Sequence, residues 1–262
     1  MGSRNTVAAK QLSFDPKPRD GLQDSYRARY TPPTDIRHIE LSSILSGRGG
    51  APLEPKQLDL MLGAERVSSK RIFYAGDIGL IGSPAVAIVG TRNVSAAGAA
   101  RARKLARGLA EVGVAVVSGL AEGVDTEALS EAIRCQGRVA AVIGTPLDKA
   151  YPAKNSALQE VIYRDHLLIS QFQLGERTYK SNFPERNRLM AALSDATVVI
   201  EASDTSGTLH QSAECQRLGR WLFIAKSVVE DQNLMWPKKF LPYSKCVVLE
   251  KVEDVLDRIA AR

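Results

Sequence analysis

The sequence predicts an α/β fold, a doubly wound, mostly parallel sheet of Rossmann-like type with helices on both faces. Three observations carry this reading. From residue 85 onward, short apolar runs alternate with amphipathic stretches, the pattern of repeated βα units. The runs are apolar throughout rather than alternating, as parallel strands covered on both sides require. Glycine- and hydroxyl-rich segments follow several of the runs, where loops lead into helix N-termini in folds of this kind.

Taken in order, residues 1–38 hold Pro16, Pro18, Pro32 and Pro33 and no sustained period, so they read as an extended or mobile N-terminal arm. Residues 39–84 read as a short lead-in segment. It has helical patches at Ile39 to Leu45 and Pro55 to Leu62, a turn over 46–50, and a strand over 71–77. The main domain is expected over residues 85–262. Its strand candidates are Val86 to Val89, Val114 to Val117, Val139 to Ile143, Leu167 to Phe172, Thr197 to Ile200 and Leu222 to Ala225. Helical spacing of apolar residues marks Ala97 to Val112, Thr126 to Cys135, Glu185 to Leu193 and Thr208 to Leu218. A last strand, Val247 to Glu250, and a helix, Val252 to Ala260, close the domain.

Bulk properties narrow the function classes. The 262 residues are 44% hydrophobic and 24% charged, ordinary for a globular protein. No run approaches the roughly 18 apolar residues of a membrane helix, and no signal-peptide core opens the chain, so a cytoplasmic location without membrane contact is expected. Lys and Arg number 35 against 29 Asp and Glu, an excess that favours a polyanionic partner where it clusters. Cys135, Cys215 and Cys246 are odd in number with no C-x-x-C, and His38, His166 and His210 are scattered, so neither disulfides nor a metal is expected. There is no G-x-G-x-x-G, no P-loop and no G-x-S-x-G, which leaves dinucleotide, P-loop ATPase and α/β-hydrolase chemistry unsupported and calls for no cofactor.

The loops after the strand candidates hold the chemistry. Gly90 allows close backbone approach, Thr91 offers a hydroxyl, and Arg92 offers a forked cation suited to phosphate. Ser118, Gly119 and Gly123 follow the second strand, with Asp125 read mainly as support for the helix start behind it. Thr145, Lys149, Lys154 and Asn155 follow the third. The two lysines either track a phosphate backbone or keep the loop soluble, and Tyr151 either stacks on a base or packs the loop.

Asn182, Phe183, Arg186, Asn187 and Arg188 form the most specific element, two arginines and two amides around an aromatic. The arginines are two apart and therefore point in different directions on a helix. One is expected to meet the ligand while the other anchors the loop, with Glu201 as candidate partner. Ser206, Gly207 and Thr208 then stand at a helix N-terminus, an anion-site geometry.

In their order along the chain, Gly90-Thr91-Arg92, Ser118 to Asp125 and Asn182 to Arg188 resemble the core of the bacterial DNA-processing protein A family (DprA/Smf). The resemblance covers residues about 71 to 226. It implies a Rossmann-like core that binds single-stranded DNA mainly through phosphates, forms a homodimer, and acts in recombination or natural transformation, with loading of the RecA recombinase as the implied role, without catalytic turnover. It also implies that Ser118, Gly119 and Gly123 form a backbone nest for phosphate. Four positions depart from the family pattern. Glu122 and Leu129 stand where a small residue and a histidine are usual, Pro146 replaces a glycine, and Lys226-Ser227 replaces a proline-glycine pair. Neither an N-terminal helical domain of the usual size nor a C-terminal winged helix is read in the remainder. The competing reading is a nucleotide sensor or a phosphoribohydrolase of the same superfamily, with Glu201 or Glu214 as acid/base. Basic residues beyond one pocket, such as Lys149, Lys154, Arg177 and Lys180, favour a strand over a mononucleotide.

Overall fold

A computed structural model describes residues 30–46 and 70–259. Nine strands form one sheet in the order β1-β2-β6-β5-β4-β3-β7-β8-β9. They are β1 (Arg37–Glu40), β2 (Arg71–Gly76), β3 (Ala85–Val89), β4 (Ala115–Ser118), β5 (Val139–Ile143), β6 (Leu167–Ser170), β7 (Ala196–Val199), β8 (Trp221–Ala225) and β9 (Cys246–Leu249). Strands β3 to β9 are parallel to their neighbours, whereas β1 pairs antiparallel with β2 and β2 antiparallel with β6. The sheet is therefore mixed, with a parallel body and a two-strand antiparallel margin. β1 and β2 come from segments that the sequence analysis assigns to the arm and the lead-in.

Within each parallel strand, alternate residues serve opposite cores. Ala85, Ala87 and Val89 face one side with Val117, Val142 and Ile224, while Val86 and Ile88 face the other with Val116, Ile143 and Phe223. This is why the runs read as apolar without alternation: both faces are covered. The first face is packed by α1 (Leu41–Ser46), α5 (Asn182–Ala192), α6 (Thr208–Arg217), α7 (Lys226–Val229) and α8 (Pro237–Phe240). The second is packed by α2 (Ala96–Glu111), α3 (Val124–Arg134), α4 (Ser156–Asp165) and α9 (Glu253–Ile259).

Several boundaries move relative to the sequence reading, each for a local reason. The patch read as helical from Ile39 is strand up to Glu40, because residues 37–40 pair with β2 in the register Arg37 to Tyr74, and the helix starts only at Leu41. The patch at Pro55 to Leu62 lies outside the described residues. Helix α4 is not anticipated by the apolar spacing, since its buried positions include the polar Gln159 beside Ile162. Its Nε2 donates to the Tyr30 hydroxyl at 2.8 Å and to the Lys149 carbonyl at 3.1 Å. Helix α5 begins at Asn182 rather than Glu185, so Phe183 and Pro184 sit in its first turn, where the N–H that proline lacks would have no intrahelical partner. β6 stops at Ser170, whose hydroxyl turns to the Thr145 carbonyl at 2.7 Å and ends the ladder before Phe172.

The described part of the expected arm is tied down. Tyr30 donates its hydroxyl to the Leu147 carbonyl at 2.7 Å, and the Thr31 amide meets Glu160 at 2.9 Å. On the second face, Glu131 clamps α2 to α3: its carboxylate accepts from Arg107 at 2.6 Å and from Arg134 at 2.6 Å. These guanidinium bonds, that from Arg134 foremost, hold its pKa down to about 2 from 4.5. A carboxylate held low in the folded state adds stability that is complete above its unfolded pKa and is lost as pH falls through the folded one. Urea unfolding should accordingly show Glu131→Gln less stable than the native chain at neutral pH. The gap should close between about pH 4.5 and pH 2; a gap constant over that window would assign the clamp no ionic part.

Candidate nucleic-acid interface

β3 lies between β4 and β7, so chain order reverses across the β3/β7 pair and leaves a crevice at the carboxyl ends of the two strands. A cavity of about 350 Å³ occupies that crevice. Its wall is built by three loops and two helix starts. Gly90, Thr91 and Arg92 come from the end of β3, Ser206, Gly207 and Thr208 from the start of α6, and Phe183, Arg186 and Asn187 from the first turns of α5. A shallower recess of about 40 Å³ adjoins it and shares Arg92, Phe183 and Arg186, adding Gly119, Glu122, Gly144 and Tyr151.

The β3 loop is held by backbone. The Thr91 amide donates to the Glu201 carbonyl at 2.7 Å, and the Thr91 carbonyl accepts from Val124 at 3.2 Å. Gly123 sits against the Thr91 and Arg92 carbonyls with φ +75°, so a side chain there is excluded by conformation and by space. Gly123 thus shapes the loop rather than lining the cavity. Arg92 itself is exposed, its guanidinium 5.8 Å above the ring of Phe183. Tyr151, 48% exposed, leans on the same ring at 5.4 Å between centroids. A cation and an exposed aromatic therefore flank one half-buried phenyl ring at the cavity mouth.

Arg186 has a different role from Arg92. It is 6% exposed, and its Nη1 donates to the carbonyls of Gly119 and of Val142, the latter at 2.8 Å. Gly119 has no room for a Cβ because the guanidinium occupies that space. Asp125, also buried, accepts from the Gly119 amide at 3.0 Å and the Ala121 amide at 3.3 Å and interacts electrostatically with Arg186. Burial pushes the Asp125 carboxyl up, against the opposing pull of Arg186 and the two amides. Burial pushes the Arg186 guanidinium down, with Asp125 opposing and Arg92 adding to it. Arg186 is thus an anchor that also borders the cavity, and its carbonyl partners lie on β4 and β5 rather than at Glu201.

The other expected residues divide by position. Asn187 and the α6 turn stand together: its amide reaches the Gly207 carbonyl at 3.3 Å, and the Ser206 hydroxyl meets Thr208 at 2.9 Å. Ser118 is buried with its hydroxyl on the Ile88 carbonyl at 2.7 Å. Thr145 is buried and bonds the Lys149 carbonyl at 3.2 Å. Asn155 is buried too, donating to the Leu120 carbonyl and the Thr126 hydroxyl, each at 2.9 Å. Asn182 is buried at the start of α5. None of the four lines the cavity, and Ser118, Thr145 and Asn155 brace the loops through the bonds given. Lys149 reaches the Glu176 carbonyl at 2.7 Å, and Lys154 is paired with Glu122. Arg188 is exposed and lies outside both lining sets.

Among residues that the sequence analysis leaves out of the site, His210 and Gln211 line the cavity from the first turn of α6. Their spacing of two and three residues after Thr208 is the signal that could have found them. The carboxylates proposed for a hydrolase are elsewhere. Glu201 accepts from the Ser95 amide and hydroxyl, the latter at 2.7 Å, and faces Arg101. Glu214 is buried against Arg217. Neither Glu201 nor Glu214, the alternatives for the acid/base role of a phosphoribohydrolase, lines the cavity. Among the described residues, no group of three His, Cys, Asp or Glu is placed to hold a metal, and no helix is long and apolar enough to cross a membrane.

A family profile described as DNA recombination-mediator protein A matches residues 55–260. The chain belongs to that family. The DNA processing protein DprA of Streptococcus pneumoniae is 41% identical over 160 residues, 61% of this chain and 56% of that protein. The Protein Smf of Synechocystis is 41% identical over 140 residues, 53% of this chain and 35% of that protein. The chain thus spans about half or less of the length of these curated relatives. Among solved structures, DprA from S. pneumoniae superposes with a TM-score of 0.70 at 31% identity, covering 86% of this chain and 74% of that one. DNA processing protein A from Helicobacter pylori gives 0.67 at 27% identity, covering 79% of this chain and 93% of that one, in a structure concerned with that protein's unique single-stranded DNA binding mode.

Removing the anchor should be costly. Arg186→Ala deletes both carbonyl contacts and the electrostatic support of buried Asp125, and the loss of a hydrogen bond from a charged donor alone is worth about 1.5–3 kcal/mol. Chemical denaturation should show the loss; a variant as stable as the native chain would mean that the loops hold together without it.

Proposed function

We propose that this chain is a single-stranded-DNA-binding protein of DNA processing and recombination, acting by binding without turnover. The strand lies across the carboxyl ends of the parallel strands. The observation that carries the reading is the Arg92–Phe183–Tyr151 cluster at the mouth of the cavity. A guanidinium supplies the phosphate contact, and the adjoining rings supply faces on which unpaired bases stack regardless of sequence. Family membership and the likeness to the H. pylori protein support the same ligand.

In this reading Arg92, Phe183, Asn187, Ser206, Gly207 and Thr208 contact the strand, and Arg186 borders it. Ser118, Gly119, Gly123, Thr145, Asn155 and Asn182 set the loop shapes. Lys149 and Lys154 lie on the rim, and Lys154 exchanges Glu122 for a phosphate when DNA arrives. The functional domain is residues 85–262, with the lead-in adding strands to its sheet. Homodimer formation, delivery of the coated strand to the RecA recombinase and a cytoplasmic location complete the proposal.

Fluorescence anisotropy of labelled oligonucleotides across a salt series, with AMP as competitor, tests it. Single strands should bind more tightly than duplexes, with little sequence preference and a steep loss of affinity with salt. Arg92→Ala should weaken all single strands alike and lower the log–log salt slope by about 0.7, the value for one phosphate contact on a single strand. Absence of oligonucleotide binding, or displacement by AMP at low concentration, would move the site to a mononucleotide.

A further inference from the structure

We propose that the segment linking β6 to α5 carries a second base-stacking station, formed by Tyr179 and Arg177, which extends the DNA track from the cavity toward the β6 side of the sheet. This rests on the single-strand reading above. Tyr179 is 55% exposed, so its ring is accessible from solvent. The Arg177 guanidinium stands 5.6 Å from its centroid, over the ring. The cation takes one face, and the solvent-exposed part of the ring offers the other. This repeats the device at the cavity mouth, where Arg92 stands 5.8 Å over Phe183.

The two stations are joined by structure. The segment follows β6 and the Tyr151 loop follows β5, so both emerge at the carboxyl end of adjacent parallel strands. Lys149 donates to the Glu176 carbonyl at 2.7 Å, and the Gly175 amide donates to Asp148 at 3.1 Å, so the two loops are tied side to side. The charges along this route are Lys149, Arg177 and Lys180 against Asp148 and Glu176. Both carboxylates are engaged by backbone amides, at Gly175 and at Gln173.

The opposite route, toward β8, is less suited. Met235 and two lysines, Lys238 and Lys239, are exposed there. They are accompanied by Asp204, Glu230 and Asp231, and the nearest aromatic, Trp236, is fully buried. Asp204 and Asp231 are engaged by backbone amides just as Asp148 and Glu176 are, and lysines stand on both sides, so what sets the β6 side apart is the exposed tyrosine.

The test is a length series of oligo-dT, from trinucleotide to about twenty residues, against the native chain, Tyr179→Ala, Tyr179→Phe, Arg177→Ala and Arg92→Ala. Native affinity should climb with length until both stations are covered. Tyr179→Ala should match the native chain on the trinucleotide and lose roughly 5- to 100-fold on the longest strand, the range for one stacked base. Its salt slope should stay unchanged, because stacking releases no counterion, while Arg177→Ala lowers that slope. Tyr179→Phe should restore the native length dependence. Equal affinity of Tyr179→Ala and the native chain at every length would overturn the second station and leave the first intact. An equal loss at every length, trinucleotide included, would overturn it too, as a general disturbance of the fold. If the native chain binds no oligonucleotide, or Arg92→Ala binds like it, the single-strand reading itself fails, a result separable from a silent Tyr179.

Discussion

The reach of one buried guanidinium organises the site. Arg186 projects from α5 toward the ends of β4 and β5, where its Nη1 donates to the Gly119 and Val142 carbonyls. Its charge is tolerated in that dry position because Asp125 stands beside it, itself held by two backbone amides. Through these contacts α5, the β4 loop and the first turn of α3 become one unit. Phe183, three residues earlier on the same helix, is thereby fixed beneath Arg92 and Tyr151. The exposed, ligand-facing chemistry is therefore aligned by a buried interaction that a ligand need not touch.

This division of labour separates two kinds of polar residue that look alike in a sequence. Arg186 and Arg92 both sit in motif-bearing segments, yet one is bound by carbonyls in the interior and the other lies on the surface over a ring. Ser118, Thr145 and Asn155 likewise hold backbone groups of neighbouring loops, so their side chains maintain loop shape. Those left facing the crevice are a cation, an aromatic ring, small hydroxyls, a helix start and the side chains of Asn187, His210 and Gln211.

Much of the fold was legible because parallel strands covered on both sides leave an unmistakable apolar run, and β3, β5 and β8 fall within a residue or so of the expected ends. What was illegible depends on contacts between distant segments. Residues 37–40 are strand only because β2 is beside them, and α4 buries Gln159 where its Nε2 donates to the Tyr30 hydroxyl. At the site, motif positions marked the right loops, but not which side chain turns inward. Arg186 turns inward to carbonyls on segments distant in sequence, which no local pattern announces. His210 and Gln211 went unnoticed for a related reason: helix α6 has to be docked before its first turn faces anything.

The arrangement of β3 beside β7 has a consequence for how the protein is made. The Ala85 amide and carbonyl bond Asp195, 110 residues later, and the Gly90 loop is fastened to the Glu201 carbonyl. Contacts of such long sequence separation form late and slow the folding of a chain. During synthesis, the first half of the crevice therefore waits with its partner still unmade until the ribosome has passed residue 201 and released it. A chain cut short before that point carries the glycine-rich loop and its arginine but no crevice. The crevice is thus a property of the finished sheet, absent from any partial translation product that stops short of β7.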